Sequence, residues 1–224
     1  GRDLRSAHRS PVNALLEAAR PLLAQAFALW GSPVTWLEIV ACGLSVWMVV
    51  CNMRVNPLGW PLAMLASLLY GLLFAHSKLY GEASLQGLFV LIALWGWWQW
   101  MSQLAGAAPR LVVHRLSATQ RWQALALTLA AWPLLGWVLQ HVTDSDVPYL
   151  DALPTVGSIT GQILLGRKAV ENWPVWLVVN LVSIVLFAVK GLWLTVLLYA
   201  LFSGMAWAGW RVWRRLAVEA QRAA

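Results

Sequence analysis

Charge is scarce in this chain. Of its 224 residues only 11% are charged and 60% are hydrophobic, whereas a soluble domain carries roughly a quarter charged residues. A water-soluble fold of this length has nowhere to put so much apolar side chain. Cysteine is equally rare: Cys42 and Cys51 are the two present, and a helix rising about 1.5 Å per residue through their common apolar run holds them too far apart to bridge. Reactive constellations are missing as well. No nucleophile stands beside a partner base, no glycine-rich phosphate loop occurs, and His76, His114 and His141 are isolated near helix ends. These absences speak against an enzyme, a metal site or a cofactor. Strict in-out alternation over segments of about 10 residues, the signature of a transmembrane β-barrel, is not found either.

What the chain has instead is long apolar runs. A membrane-crossing helix needs about 20 predominantly apolar residues. Runs between breakers predict seven spans, at residues 33–53, 57–76, 81–103, 120–141, 147–167, 172–189 and 191–213. The expected fold is therefore an all-α polytopic membrane protein. An earlier stretch, 11–30, carries Glu17, Arg20, Pro21 and Gln25; it is expected to be a helix that either lies in the interface as an amphipathic element or crosses as an eighth span.

The sixteen Lys and Arg outnumber the nine Asp and Glu, but they sit in loops and at the ends rather than along one face, which fits a membrane and not nucleic acid. On one side of the seven spans lie Arg54, Arg110, Arg115, Arg121, Arg167, Lys168, Arg211, Arg214, Arg215 and Arg222; the other side offers Lys78, Lys190 and the acidic segment from Asp144 to Asp151. The positive-inside rule assigns the first side, and with it the C-terminus, to the cytoplasm.

Displacing the sequence by 113 positions aligns it with itself without a gap. Trp60-Pro61 meets Trp173-Pro174, Leu73-Phe74-Ala75 meets Leu186-Phe187-Ala188, Phe89 meets Phe202, Gly96-Trp97 meets Gly209-Trp210 and Trp100 meets Trp213. Upstream, Glu38 aligns with Asp151 and Arg54 with Arg167. The unit thus covers three spans. A basic N-terminal segment (1–32) precedes a first repeat (33–103), a linker carrying the connecting span (104–146), a second repeat (147–214) and a cytoplasmic tail (215–224). Three helices end on the side opposite their start, so the odd linking helix gives both copies the same orientation. This is a parallel three-plus-one-plus-three repeat, whose substrate site is expected between the halves.

Polar groups inside spans are costly and mark function. Trp173, Trp176 and Asn180, spaced i, i+3 and i+7, share one helical face: two indoles able to stack on a flat or cationic ring, followed by an amide that donates and accepts. Gln86, Gln162, Trp47, Trp60 and Tyr70 complete the candidate pocket. Asn52, Ser67, Gln99 and Thr160 are weaker candidates, because such groups often serve their own backbone or helix contacts. Glu38 and Asp151 stand near span starts, where acids stabilise helix N-termini, so a structural use is expected for both.

Asn172-Trp173-x-x-Trp176-x-x-x-Asn180, Lys78-Leu79-Tyr80-Gly81-Glu82 with Leu85-Gln86, and Gly96-Trp97-Trp98-Gln99-Trp100 together resemble the bacterial nicotinamide riboside transporters of the Pnu vitamin-transporter family, over residues 35 to 215. The resemblance implies a fold similar to that of the SWEET sugar transporters, a homotrimer, and uptake across the inner membrane by facilitated diffusion, with the vitamin trapped by phosphorylation in the cytoplasm. It also implies substrate contacts from Trp173, Trp176 and Asn180. Relatives of this kind carry thiamine or riboflavin too, and a non-transporting membrane scaffold is the alternative from another class.

Overall fold

The computed structural model describes residues 20–29, 31–76, 80–106, 112–142, 147–189 and 193–222. Seven long helices make up nearly all of it: α1 (Trp36–Met53), α2 (Gly59–His76), α3 (Tyr80–Leu104), α4 (Ala118–Val142), α5 (Pro148–Gly166), α6 (Asn172–Val189) and α7 (Trp193–Arg222). Each coincides with one expected span to within a few residues, except that α7 continues well past the predicted end. Among the described residues α1, α4, α6 and α7 are long and apolar enough to cross a membrane by length and composition.

Local chemistry sets the helix ends. Thr35 and Glu38 form a reciprocal capping box: the Thr35 hydroxyl accepts from the Glu38 amide at 3.2 Å, and the Glu38 carboxylate accepts from the Thr35 amide at 2.7 Å. Glu38 therefore serves the helix start. Pro148 opens α5 at its first turn, where the missing N–H costs nothing.

The expected helix over 11–30 is not what the structure holds. Residues 11–19 lie outside those described. Gln25–Leu29 is a strand, β1, paired antiparallel with β2 (Ser32–Thr35) around Gly31, whose φ of +86° suits a residue without a Cβ. The ribbon folds back over the start of α1, where Ala24 and Leu22 carbonyls accept the Trp36 and Leu37 amides at 3.3 and 2.7 Å. First-turn amides have no partner inside their own helix, so an extended segment that supplies carbonyls competes well with a helix there.

The 113-residue offset reappears in the backbone. Val55 and Lys168 are the two non-glycine residues at positive φ among those described, at +54° and +56°, and they are 113 apart. Each closes its helix with the same pair of bonds. Asn56 N donates to Cys51 O at 2.9 Å and Val55 N to Asn52 O at 3.1 Å; Ala169 N donates to Leu164 O at 3.0 Å and Lys168 N to Leu165 O at 2.9 Å. Both sets are the left-handed helix stop with its six-to-one and five-to-two bonds.

Tertiary packing follows the same plan. α1, α2 and α3 pack in succession, as do α5, α6 and α7, while α4 lies against α5. The halves meet where α3 touches α5 and α1 touches α7. One buried cluster, including Trp60, Trp100, Val113, Leu165, Val170, Trp173, Trp213 and Ala217, gathers residues of both halves and the linker at one end of the bundle. The linker is pinned there. His114 N donates to Lys168 O and Val170 N to His114 O, at 3.2 and 2.9 Å, and Glu171 accepts from the Leu116 amide at 3.1 Å and from Arg121 Nε at 2.9 Å.

Candidate functional site

A cavity of about 110 Å³ opens between α1, α5, α6 and α7, lined by Met48, Val49, Asn52, Gln162, Leu165, Asn172, Trp173, Trp176, Asn180, Tyr199, Phe202 and Ala206. The i, i+3, i+7 stripe of α6 forms one wall, as the sequence predicts, and Gln162 faces it from α5. Glycines let the indoles in. A Cβ at Gly209 would come within 2.6 Å of the Trp173 ring, and one at Gly161 within 2.9 Å of Trp176, so each tryptophan lies on bare backbone of a neighbouring helix. Pro174 falls in the first turn of α6, where it removes no helical hydrogen bond.

The lining is neutral, and part of it is unsatisfied. Asn52 Oδ1, Gln162 Oε1, Asn172 Oδ1 and Trp173 Nε1 are buried without a hydrogen-bond partner. The orientation of Asn172 is fixed, because its Nδ2 donates to Ala169 O at 2.7 Å and leaves Oδ1 as the open acceptor. An unpartnered buried polar atom costs about 1–3 kcal/mol. Four around one cavity constitute a place where a ligand rich in hydroxyl or amide groups regains what the empty protein forgoes.

Four expected site residues stand elsewhere. Trp47 is 54% exposed on the outside of the bundle; Met48, Val49 and Asn52 take the inner face of α1, and the 100° turn per residue carries Trp47 away from it. Trp60 is fully buried but packs edge-on to Trp100, centroids 5.6 Å apart, and over Gly96. Tyr70 lies between α1 and α2, its hydroxyl 3.6 Å from Cys42 Sγ. Gln86 is half-buried on α3, away from the cavity.

The offset explains the exchange. Gln86 aligns with Tyr199, Trp60 with Trp173, Ala63 with Trp176, Ser67 with Asn180 and Gly59 with Asn172. At three of these five pairs the second half carries an aromatic or amide group, Trp176, Asn180 and Asn172, where the first has the small residues Ala63, Ser67 and Gly59, so one of two related places is elaborated. Tyr199 was within reach of sequence reasoning as the repeat partner of Gln86. Phe202 and Ala206, mid-helix and apolar, carry no signal.

Residues 35–215 match the family described as nicotinamide mononucleotide transporter. The chain is 27% identical over 175 residues to the nicotinamide riboside transporter PnuC of Escherichia coli, covering 67% of this chain and 73% of that one. It is 28% identical over 204 residues to the riboflavin/roseoflavin transporter RibM of Streptomyces davaonensis, covering 86% and 91%. The crystal structure of the vitamin B3 transporter PnuC superposes with a TM-score of 0.68 at 24% identity, over 82% of this chain and 83% of that one; this likeness establishes the fold.

Proposed function

Because the chain belongs to the nicotinamide mononucleotide transporter family, we propose that it carries nicotinamide riboside across the bacterial inner membrane by facilitated diffusion with alternating access, phosphorylation in the cytoplasm retaining the product. The observation that supports this most is the neutral cavity walled by Trp173, Trp176 and Asn180, with its four unpartnered polar atoms. A pyridinium ring is held by indole faces through cation–π attraction, and ribose hydroxyls and a carboxamide are donors for the open acceptors on Asn52, Gln162 and Asn172. Among the described residues none lining the cavity is cationic, so a 5′-phosphate finds no counter-charge there, which favours the riboside over the mononucleotide. None of those lining residues is anionic either, so the cation leaves without breaking an ion pair.

The scale of the site points the same way. Cavities of about 150 Å³ accommodate one benzene ring, so a space of about 110 Å³ is at most ring-sized, and a ring with its sugar requires the walls to part. The second reading is riboflavin, favoured by the extent of the match to the Streptomyces relative; its three fused rings demand a larger rearrangement. Thiamine, also cationic and aromatic, is the third. A scaffold would pair its intraspan amides with one another, which the four unpartnered atoms disfavour. A cytoplasmic C-terminus is supported by the arginines gathered at that side, and a homotrimer rests on the family resemblance.

Titration calorimetry of the purified protein with nicotinamide riboside, thiamine and riboflavin tests the proposal, with Asn180→Ala as control. Binding of the riboside alone, weakened at least tenfold in the variant, supports substrate and site. Selective binding of another vitamin replaces the substrate, and binding of none restores the scaffold.

A further inference from the structure

At the end of α7 five guanidiniums share one open cavity of about 430 Å³, lined by Arg115, Arg211, Arg214, Arg215, Val218, Glu219 and Arg222. At 100° per residue Arg211, Arg215 and Arg222 fall within about 40° of one another on the helix, with Arg214 at their flank, and Arg115 reaches the same face from the α3–α4 linker. Glu219 is the one carboxylate among them, and among the described residues none of the five arginines is in an ion pair. Like charges crowded this way repel, so the arrangement calls for an external anion.

The depth of the cluster identifies the anion. α7 has 30 residues, about 45 Å at 1.5 Å per residue, and a hydrocarbon core is about 30 Å thick. The last ten residues or so therefore stand beyond it. Trp207 and Trp210, their rings 5.1 Å apart, come just before, and Trp207 is half exposed; paired tryptophans mark the membrane–water boundary. Arg214 lies over Trp210 at 5.1 Å, one turn further out, at the level of lipid phosphates. Guanidinium forks match phosphate oxygens two by two. We propose that this cluster is a binding site for the phosphate-bearing headgroup of an anionic phospholipid. It is independent of the substrate cavity and of what that cavity carries.

The test uses the full chain in a neutral detergent, titrated with short-chain phosphatidylglycerol, with phosphatidylcholine and with inorganic phosphate, and followed by native mass spectrometry. Phosphatidylglycerol is expected to bind at least tenfold more tightly than phosphatidylcholine. Each of Arg211→Gln, Arg214→Gln and Arg215→Gln weakens it about fivefold, and the triple variant about a hundredfold. Arg167→Gln, an exposed arginine outside the cluster, leaves it unchanged, and an unaltered melting temperature in detergent certifies the fold of the triple variant. Equal binding of the two lipids, or undiminished binding in the triple variant, overturns the site. Inorganic phosphate that binds as tightly as phosphatidylglycerol overturns the lipid assignment in favour of a soluble anion.

Discussion

Trp100 and Trp213 make the same bond in opposite directions: each donates its indole N–H to the other half of the molecule. Trp100 Nε1 meets Gly166 O at 3.0 Å, and Trp213 Nε1 is shared between Met53 O and Asn52 O, both at 3.1 Å. Met53 and Gly166, like the two donors, are 113 residues apart. Each donor ring also stands edge-on to a second tryptophan, Trp60 at 5.6 Å and 84°, Trp173 at 5.7 Å and 83°. The internal repeat is thus a set of reciprocal contacts between the halves.

Phenylalanine at either position keeps a ring and removes the donor, leaving a buried carbonyl short of a partner. Trp100→Phe and Trp213→Phe are each expected to destabilise the protein by about 1–3 kcal/mol. Thermal unfolding in detergent measures this; a variant with an unchanged melting temperature contradicts a structural role for its bond.

Gly96 and Gly209 are repeat partners that receive Trp60 and Trp173, but only Trp173 borders the cavity. Gly209→Ala is expected to displace that indole and weaken vitamin binding at least tenfold. Gly96→Ala is expected to lower the melting temperature with little change in affinity. Gly204→Ala, where an added Cβ meets nothing within 4 Å, changes neither. Calorimetry and thermal unfolding on the three proteins separate the outcomes.

Trp176→Leu removes the cation–π partner while filling part of its volume, and a contribution of about 0.5–2 kcal/mol predicts binding weaker by a few-fold to thirtyfold. Trp47→Leu is expected to leave affinity within twofold of the parent, because that indole points out of the bundle. A large loss from Trp47→Leu would show that the cavity extends past α1.

Glu171 ties the linker to the α5–α6 turn through Arg121 and the Leu116 amide, but the Arg121 side chain is 51% exposed. Glu171→Gln is therefore expected to cost under about 1 kcal/mol and to leave vitamin affinity unaltered. A change of several degrees in the melting temperature would show the linker to be more tightly coupled to the fold than this exposed contact implies.

The helices were legible because apolar runs of about 20 residues between breakers have few other physical solutions. The repeat was legible because Trp, Pro and Gly recur at one offset. The α6 wall followed from helical spacing alone. Other parts of the site were not accessible. A tryptophan such as Trp47 satisfies the same sequence criterion whether it faces a cavity or the bilayer, and Trp60 meets it while buried against Trp100. Asn172, though part of the recognised motif, reads as a helix-start residue until its bond to Ala169 O exposes the free oxygen. The ribbon at 25–35 was missed because its cause is tertiary: the first amides of α1 need acceptors, and a local reading of 11–30 does not contain that demand.

The two indole bonds and their edge-on partners belong to one buried cluster at one end of the bundle, so they fasten the two halves together there. At a net worth of about 1 kcal/mol per hydrogen bond, the bonds are a modest fastening, but a crossed one: each half holds the donor of one bond and the acceptor of the other, so the halves cannot part at that end without losing both.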